Sequence, residues 1–259
     1  MSDDGQMHLP GSEVAEAADR TDGAAQPAGP YRFPRVTSFR TRRTKLSPAQ
    51  QATWDRLWPE MGMHARDADG PAPRLDTVAW FGREAPVVVE VGCGSGSSTL
   101  QMAKAEPHID VVAVEVYRRG LAQLLSAIER ENVTNIRLVR GDGVDVLEHM
   151  FGSESLTGVR VFFPDPWPKA RHHKRRFIQP ATVALIADRL RPGGVLHVAT
   201  DHPGYAEHIA EVGDAEPRLR RVGPDDDLPI SVRRPVTKYE EKAHRAGSPI
   251  AELLWEKKP

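Results

Sequence analysis

The chain has 259 residues, with 35 Lys and Arg against 36 Asp and Glu, a formal net charge of -1, and 39% apolar residues. That length suits one medium α/β domain with tails, and no stretch approaches the roughly 18 consecutive apolar residues of a membrane span or forms an N-terminal signal core. The single cysteine, Cys93, speaks against a disulfide framework and fits a reducing cytoplasm.

The near-neutral charge hides an uneven distribution. Residues 1–30 carry six acids and one base among Ala, Gly and Pro, which predicts a disordered acidic tail. The remainder holds 34 bases against 30 acids, about +4. Residues 31–45 follow as a basic arm: Arg32, Arg35, Arg40, Arg42, Arg43 and Lys45 stand among Tyr31, Phe33 and Phe39 without an acid. Its composition suits RNA contact as well as a solvated linker.

From residue 46 to 259 one folded domain is expected. Ser47-Pro48 opens a helix, with a cap and a first-turn proline, that carries Trp54, Leu57 and Trp58. A Gly/Pro/Asp-rich connection spans 59–76. Strands and helices then alternate. Val87–Val91 reads as a buried strand, Ser97–Ala105 as a helix, Val111–Val116 as a strand and Tyr117–Glu131 as an amphipathic helix. Ile136–Val139, Val159–Phe163 and Val195–Thr200 are further strands. Val144–Met150, Phe177–Leu190 and Tyr205–Val212 are helices, with Arg191-Pro192-Gly193-Gly194 as a stop signal. Leu219–Val222 and Ile250–Trp255 read as a closing, antiparallel pair. This alternation predicts an α/β fold: a doubly wound, mostly parallel, Rossmann-like sheet.

The turn between the first expected strand and helix is Glu90-Val91-Gly92-Cys93-Gly94-Ser95-Gly96. Gly92, Gly94 and Gly96 allow a tight turn and close approach of a ligand to a helix N-terminus. The spacing G-x-G-x-G is not the dinucleotide fingerprint, which wants glycine where Ser97 stands. Three acids sit at or near successive strand ends: Glu90, Glu115 and Asp142. Acceptors are what a nucleoside with ribose hydroxyls and an exocyclic amine requires, and a carboxylate suits the ammonium of an amino-acid moiety. Each alone could also be a cap or a solvated acid. Cys93 reads as a small residue that fits the loop rather than as a nucleophile.

The most informative segment is Phe162-Phe163-Pro164-Asp165-Pro166-Trp167-Pro168-Lys169, at the carboxyl end of a strand, where open α/β sheets place ligands. Arg171-His172-His173-Lys174-Arg175-Arg176 follows at once. That run reads as an RNA-backbone track, or more plainly as a solvated face. Its paired histidines have no matching Cys/His cluster, so no metal site is expected. Trp167 suits stacking on a base or packing within its loop. Asp201, before Pro203, reads as a helix cap, and Thr237-x-x-Glu240 as a capping box.

The loop and its acids resemble the Rossmann-like, S-adenosylmethionine-dependent methyltransferases. That likeness implies Glu90 near the methionine ammonium or its loop, Glu115 on the ribose and Asp142 near the adenine. The longer string from Phe163 to Lys169 with Lys174-Arg175-Arg176, together with Thr200-Asp201 and Thr237-Lys238-Tyr239-Glu240 followed by Gly247, resembles the bacterial tRNA (guanine-N7)-methyltransferase family over roughly residues 35–258. The acidic tail has no counterpart there. This resemblance implies S-adenosylmethionine as methyl donor, tRNA as partner and N7 of a variable-loop guanosine as acceptor. It implies Asp165 as the catalytic residue, also touching cofactor, and Lys169, Asp201, Thr237, Lys238, Tyr239 and Glu240 as substrate-binding positions. It calls for no membrane, no metal and no obligate protein partner. Guanine N7 has a lone pair and no proton, so its methylation needs alignment more than a strong base.

Overall fold

The computed structural model describes residues 45–235 and 249–259. The acidic tail, the basic arm apart from Lys45, and Thr237, Lys238, Tyr239 and Glu240 lie outside the described residues.

Eight strands among the described residues form one sheet. They are β1 (Gly62–His64), β2 (Val87–Val91), β3 (Asp110–Glu115), β4 (Ile136–Arg140), β5 (Leu156–Phe162), β6 (Leu190–Thr200), β7 (Leu219–Arg221) and β8 (Ala251–Lys257). Their spatial order is β1-β4-β3-β2-β5-β6-β8-β7. All neighbours run parallel except β8, which is antiparallel to both β6 and β7.

The helices are α1 (Pro48–Met61), α2 (Thr77–Phe81), α3 (Ser97–Ala105), α4 (Arg118–Glu131), α5 (Gly143–Asp145), α6 (Pro180–Arg189) and α7 (Pro203–Ala215). The odd-numbered valines of β2 pack into one apolar cluster with residues of α6 and α7, while Val88 joins a second cluster with residues of α1, α3 and α4. Both sheet faces are therefore covered, which is why β2 and β3 are buried throughout and why Val87–Val91 is nearly continuous valine. In α4 the buried side chains are Leu121, Ala122, Leu124, Leu125 and Ile128, one stripe of an otherwise charged helix. Ser47 and Gln50 close a reciprocal capping box on α1. Trp54 and Trp58 stack at 4.0 Å on that helix, and Arg118 of α4 lies over Trp54.

Several boundaries differ from the sequence expectation for identifiable reasons. The helix expected from Phe177 starts only at Pro180, because Phe177 and Ile178 are buried and Ile178 N donates to Tyr205 Oη. The helix does stop before Arg191–Gly194, at Arg189, but that stretch is no loop. It is the irregular start of β6: β5 pairs Leu156 with Leu190 but Gly158 with Val195, so β6 bulges, with Gly193 at φ 77°. Within 59–76 the chain forms β1, which extends the sheet beside β4. The five-residue α2, capped by Asp76 on Ala79 N, is too short to show a period. The segment expected as helix 144–150 is one α-turn continued by a π-turn over Val146–Met150.

Candidate active site at the carboxyl ends of β2 and β5

From β2 the chain builds β3 and β4 on one side, then returns to add β5 on the other. This reversal opens a crevice at the carboxyl ends of β2 and β5. A cleft of about 170 Å³ lies there, lined by Gly92, Glu115, Tyr117, Gly141, Phe163 and Asp165 among others.

The glycine loop starts at Gly92, which lines the cleft. Gly92, Gly94 and Gly96 have φ of 77°, 58° and 73°, conformations that side chains resist. Gly92 N and Cys93 N both donate to Val114 O, so the loop is tied to β3. Glu115, at the end of β3, is fixed from three directions. Its Oε1 accepts from Val116 N and Tyr117 N, and its Oε2 from Gly94 N at 2.9 Å. Oε2 keeps acceptor capacity for a hydroxyl. Burial pushes the Glu115 carboxyl above its ordinary range, against the pull of those three N–H groups, and the charge of Asp165 pushes the same way.

Glu90 lies behind the loop, fully enclosed. Burial raises its carboxyl to about 7, while Arg160, Thr99 and Arg234 pull it down. Its Oε2 and the Thr99 Oγ1 are buried without a hydrogen-bond partner. The Thr99 hydroxyl faces Glu90 without closing to hydrogen-bond geometry. An orphaned carboxylate oxygen beside a glycine turn matches an ammonium, which has three protons to donate and no acceptor. Thus the residues present fit the amino-acid end of S-adenosylmethionine. Burial also lifts the Cys93 thiol well above its ordinary value, helped by Glu115 and Glu90, so it is no thiolate nucleophile.

Asp142 is placed differently from its neighbours. Gly141 and Gly143 line the cleft, but the Asp142 carboxylate caps Val144 N at 3.0 Å. It lines the adjoining groove, with Lys174, Arg175 and Arg176.

The acceptor loop leaves β5 through two bulky residues in the left-handed region, Phe163 (φ 50°) and Trp167 (φ 43°). Such backbone costs on the order of 1–3 kcal/mol per residue and persists only where surroundings enforce it. Here Phe163 N donates to Ala199 O, and Pro164 and Pro166 restrict the chain on both sides of Asp165. Asp165 is left exposed on the cleft wall.

Trp167 is 4% exposed, with the Arg175 guanidinium 3.9 Å from its ring centre and His172 edge-on at 5.8 Å. Of its two readings, packing within the loop is the one observed. Lys169 is exposed and precedes a 3-10 turn over Ala170–Arg175. The six basic-run residues separate by role. Arg171 and Lys174 are exposed; His172, His173 and Arg175 are half-buried. Arg176 is buried, with Nε donating to Pro166 O at 2.9 Å and its guanidinium over the Tyr205 ring. Asp201 does not cap α7. His202 does, through Nδ1 accepting from Tyr205 N, which leaves Asp201 exposed after β6.

His172 and His173 belong to no cluster of metal-ligating side chains among the described residues. The set that does come together is Asp145, Glu148 and His149, and Asp145 there faces Arg66 at 3.5 Å. Sequence reasoning missed Thr99, Gly120, Arg160 and Tyr205. Thr99 had a signal, a hydroxyl two residues past the position where a dinucleotide fingerprint would close; the others depend on distant contacts.

The seven strands β4-β3-β2-β5-β6-β8-β7, with β8 alone reversed and a glycine turn leading from β2 into α3, define the Rossmann-like fold of class I methyltransferases. Residues 84–253 match a family model described as "Putative methyltransferase". The chain is 71% identical to a tRNA (guanine-N(7)-)-methyltransferase of Mycolicibacterium gilvum (strain PYR-GCK), covering 100% of both chains. A protein of the same name from Nocardia farcinica (strain IFM 10152) is 60% identical, over 96% of this chain and 94% of that one. A solved rRNA methylase from Streptococcus thermophilus is 14% identical with a TM-score of 0.46, over 68% of this chain and 88% of that one. The chain belongs to the tRNA (guanine-N7)-methyltransferase family.

Proposed function

We propose that this protein transfers a methyl group from S-adenosylmethionine to N7 of a variable-loop guanosine in tRNA, leaving S-adenosylhomocysteine. The observation that carries this reading is a cleft in which the Asp165 carboxylate stands exposed opposite an enclosed Glu115, with Glu90 buried near the end of the neighbouring strand β2.

When bound, S-adenosylmethionine supplies an electrophilic methyl on a sulfonium. Glu90 holds the amino-acid ammonium, with Thr99 beside it. Glu115 accepts from the ribose hydroxyls through the capacity left on Oε2, and Gly141 and Gly143 let the base approach the backbone. Asp142 supports that wall as a helix cap near the adenine. Asp165 faces the guanine, accepts from its N1–H and N2–H₂ edge and stabilises the positive charge the ring acquires. No strong base is required, because N7 carries no proton.

Lys169, Asp201 and the Thr237, Lys238, Tyr239, Glu240 segment contact the nucleotide. Arg171, His172, His173, Lys174 and Arg175 track the RNA backbone, and Arg176 shapes that track from beneath. The basic arm adds phosphate contacts, and the protein works in the cytoplasm. Among the described residues no helix is long and apolar enough to cross a membrane.

The test is to incubate purified protein with S-adenosylmethionine and unmodified tRNA, then identify and locate the methylated nucleoside by mass spectrometry. N7-methylguanosine confined to the variable loop is the expected product. A different methylated base would overturn the acceptor assignment, and no product with both ligands bound would overturn the catalytic reading.

A further inference from the structure

A row of ionisable side chains crosses the sheet face beneath α3. The registers pair Glu90 of β2 with Arg160 of β5, and Arg160 with His197 of β6. Parallel neighbours lie about 4.8 Å apart and register partners share a face, so the three side chains stand side by side. All three are buried; Arg160 and His197 are 0% exposed.

Arg160 is an expensive residue to bury, and only one of its nitrogens is bonded. Nη2 donates to Glu106 Oε2 at 2.6 Å and to Ser231 O at 3.1 Å. Nε and Nη1 have no hydrogen-bond partner, nor does Glu90 Oε2. Ser231 N in turn donates to Glu106 Oε1 at 2.6 Å, so the stretch before Pro235 is bolted across the face, with Ile230 and Val232 buried beside it. A simple structural ion pair would need Glu106 alone. Beyond that pair, the Arg160 charge is also felt by its strand neighbour, lowering the Glu90 carboxyl.

The charge count explains this arrangement. Glu106 and Glu90 flank one cation, Arg160. Among the other groups around Glu90, Arg234 also lowers its carboxyl, but less than Arg160 does. Thr99 from α3 is neutral, and Arg234, from the same stretch as Ser231, is ion-paired to Glu252 at 3.1 Å. His197 is driven towards its neutral form by burial, although Glu252 pulls it the other way. Cys93 is a neutral thiol, and Glu115 adds negative charge. With a bound ammonium the row holds two cations and two carboxylates. Without it, Glu90 is the acid left to take a proton.

We propose that Arg160 is a positioning residue for the cofactor: as the buried counter-cation of Glu90, it keeps that carboxylate ionised and aimed for the ammonium of the bound amino-acid moiety. Arg160 touches no reacting atom and acts through Glu90. The inference rests on the reading of Glu90 given under the proposed function.

The experiment is calorimetric titration of S-adenosylhomocysteine between about pH 6 and pH 8.5. Wild-type affinity should rise as Glu90 ionises through about 7. Arg160→Gln should move that rise to higher pH, so that binding at pH 7 is about fivefold weaker if Glu90 shifts by one unit, with the gap closing at the alkaline end. Arg160→Lys, which keeps the cation, should restore the wild-type profile. If Arg160→Gln folds poorly, Arg160→Met with Glu106→Gln removes both charges of the pair and should displace the profile in the same direction by a smaller amount. A lowered melting temperature with an unmoved pH profile in both variants would overturn the inference and leave Arg160 a structural residue. Glu90→Gln separates the two readings. It should bind weakly and without this pH dependence. Wild-type binding by Glu90→Gln would remove the cofactor role of Glu90 itself, and the inference with it.

Discussion

Gly120, in the first turn of α4, lies directly against the carbonyl of Gly94 in the cofactor loop. A Cβ built at Gly120 would fall inside the contact distance of Gly94 O and stand 3.5 Å from Glu115 Cγ. The glycine loop therefore depends on a glycine from a different element as well as on its own three.

Two effects oppose each other in Gly120→Ala. Helix propensity favours Ala over Gly by about 1 kcal/mol. The new methyl must displace backbone that carries the Glu115 hydrogen bond. We expect displacement to win: S-adenosylhomocysteine affinity should fall about tenfold or more in titration, with the melting temperature not raised. A more stable variant with unchanged affinity would show that the loop yields freely.

Asp165 is exposed on the cleft wall and sits between two prolines that hold the backbone whatever the side chain. Asp165→Ala should therefore fold normally and still bind S-adenosylhomocysteine within a few-fold of wild type. Methyl transfer to tRNA should drop by about 10²–10³, the usual consequence of losing a preorganised charge-stabilising group. Near-normal turnover in a radiolabelled methyl-transfer assay would sink the assigned role.

What the sequence made legible follows from how far each signal reaches along the chain. Val87–Val91 was readable because a strand covered on both faces must be apolar at every position. Glu90 and Glu115 stood out because an acid inside such a run has no local reason to be there. Gly120 was invisible for the opposite reason: in a helical pattern it reads as a weak residue, and its need arises at Gly94, in a different element. Arg160 carried no local signal between Val159 and Val161, since its partner Ser231 is 71 residues distant. Arg176 could not be placed without Tyr205, which lies beneath it.

The enclosed Glu90 also makes stability depend on pH. Its folded value, about 7, lies above its unfolded value near 4.5, so the folded state holds this proton more tightly. The associated stability is complete below about 4.5 and is lost as pH rises through about 7. A rise of that size corresponds to on the order of 3 kcal/mol. Chemical denaturation of the ligand-free protein should show a loss between those values that Glu90→Gln, a neutral mimic, largely removes. Equal pH dependence in both proteins would mean that Glu90 titrates near its ordinary value.

The basic run should divide in two when mutated, because its members are buried to different degrees. Arg171 and Lys174 are exposed, so replacing both with Ala should leave the melting temperature unchanged. For every phosphate that the variant no longer neutralises, the slope of log affinity for tRNA against log salt should shrink by about 0.9 or somewhat less. Arg176 is buried, bonded to Pro166 O and packed over Tyr205. Arg176→Ala should cost about 2 kcal/mol of stability, as expected when a charged hydrogen bond is removed, and loosen the loop that presents Asp165. Its turnover should fall while the salt slope stays near wild type. Filter binding across a salt series, beside thermal melts, distinguishes the two groups. An unchanged slope in the Arg171/Lys174 variant would take the exposed half of the run off the RNA path, whereas a reduced slope in Arg176→Ala would put the buried arginine on it.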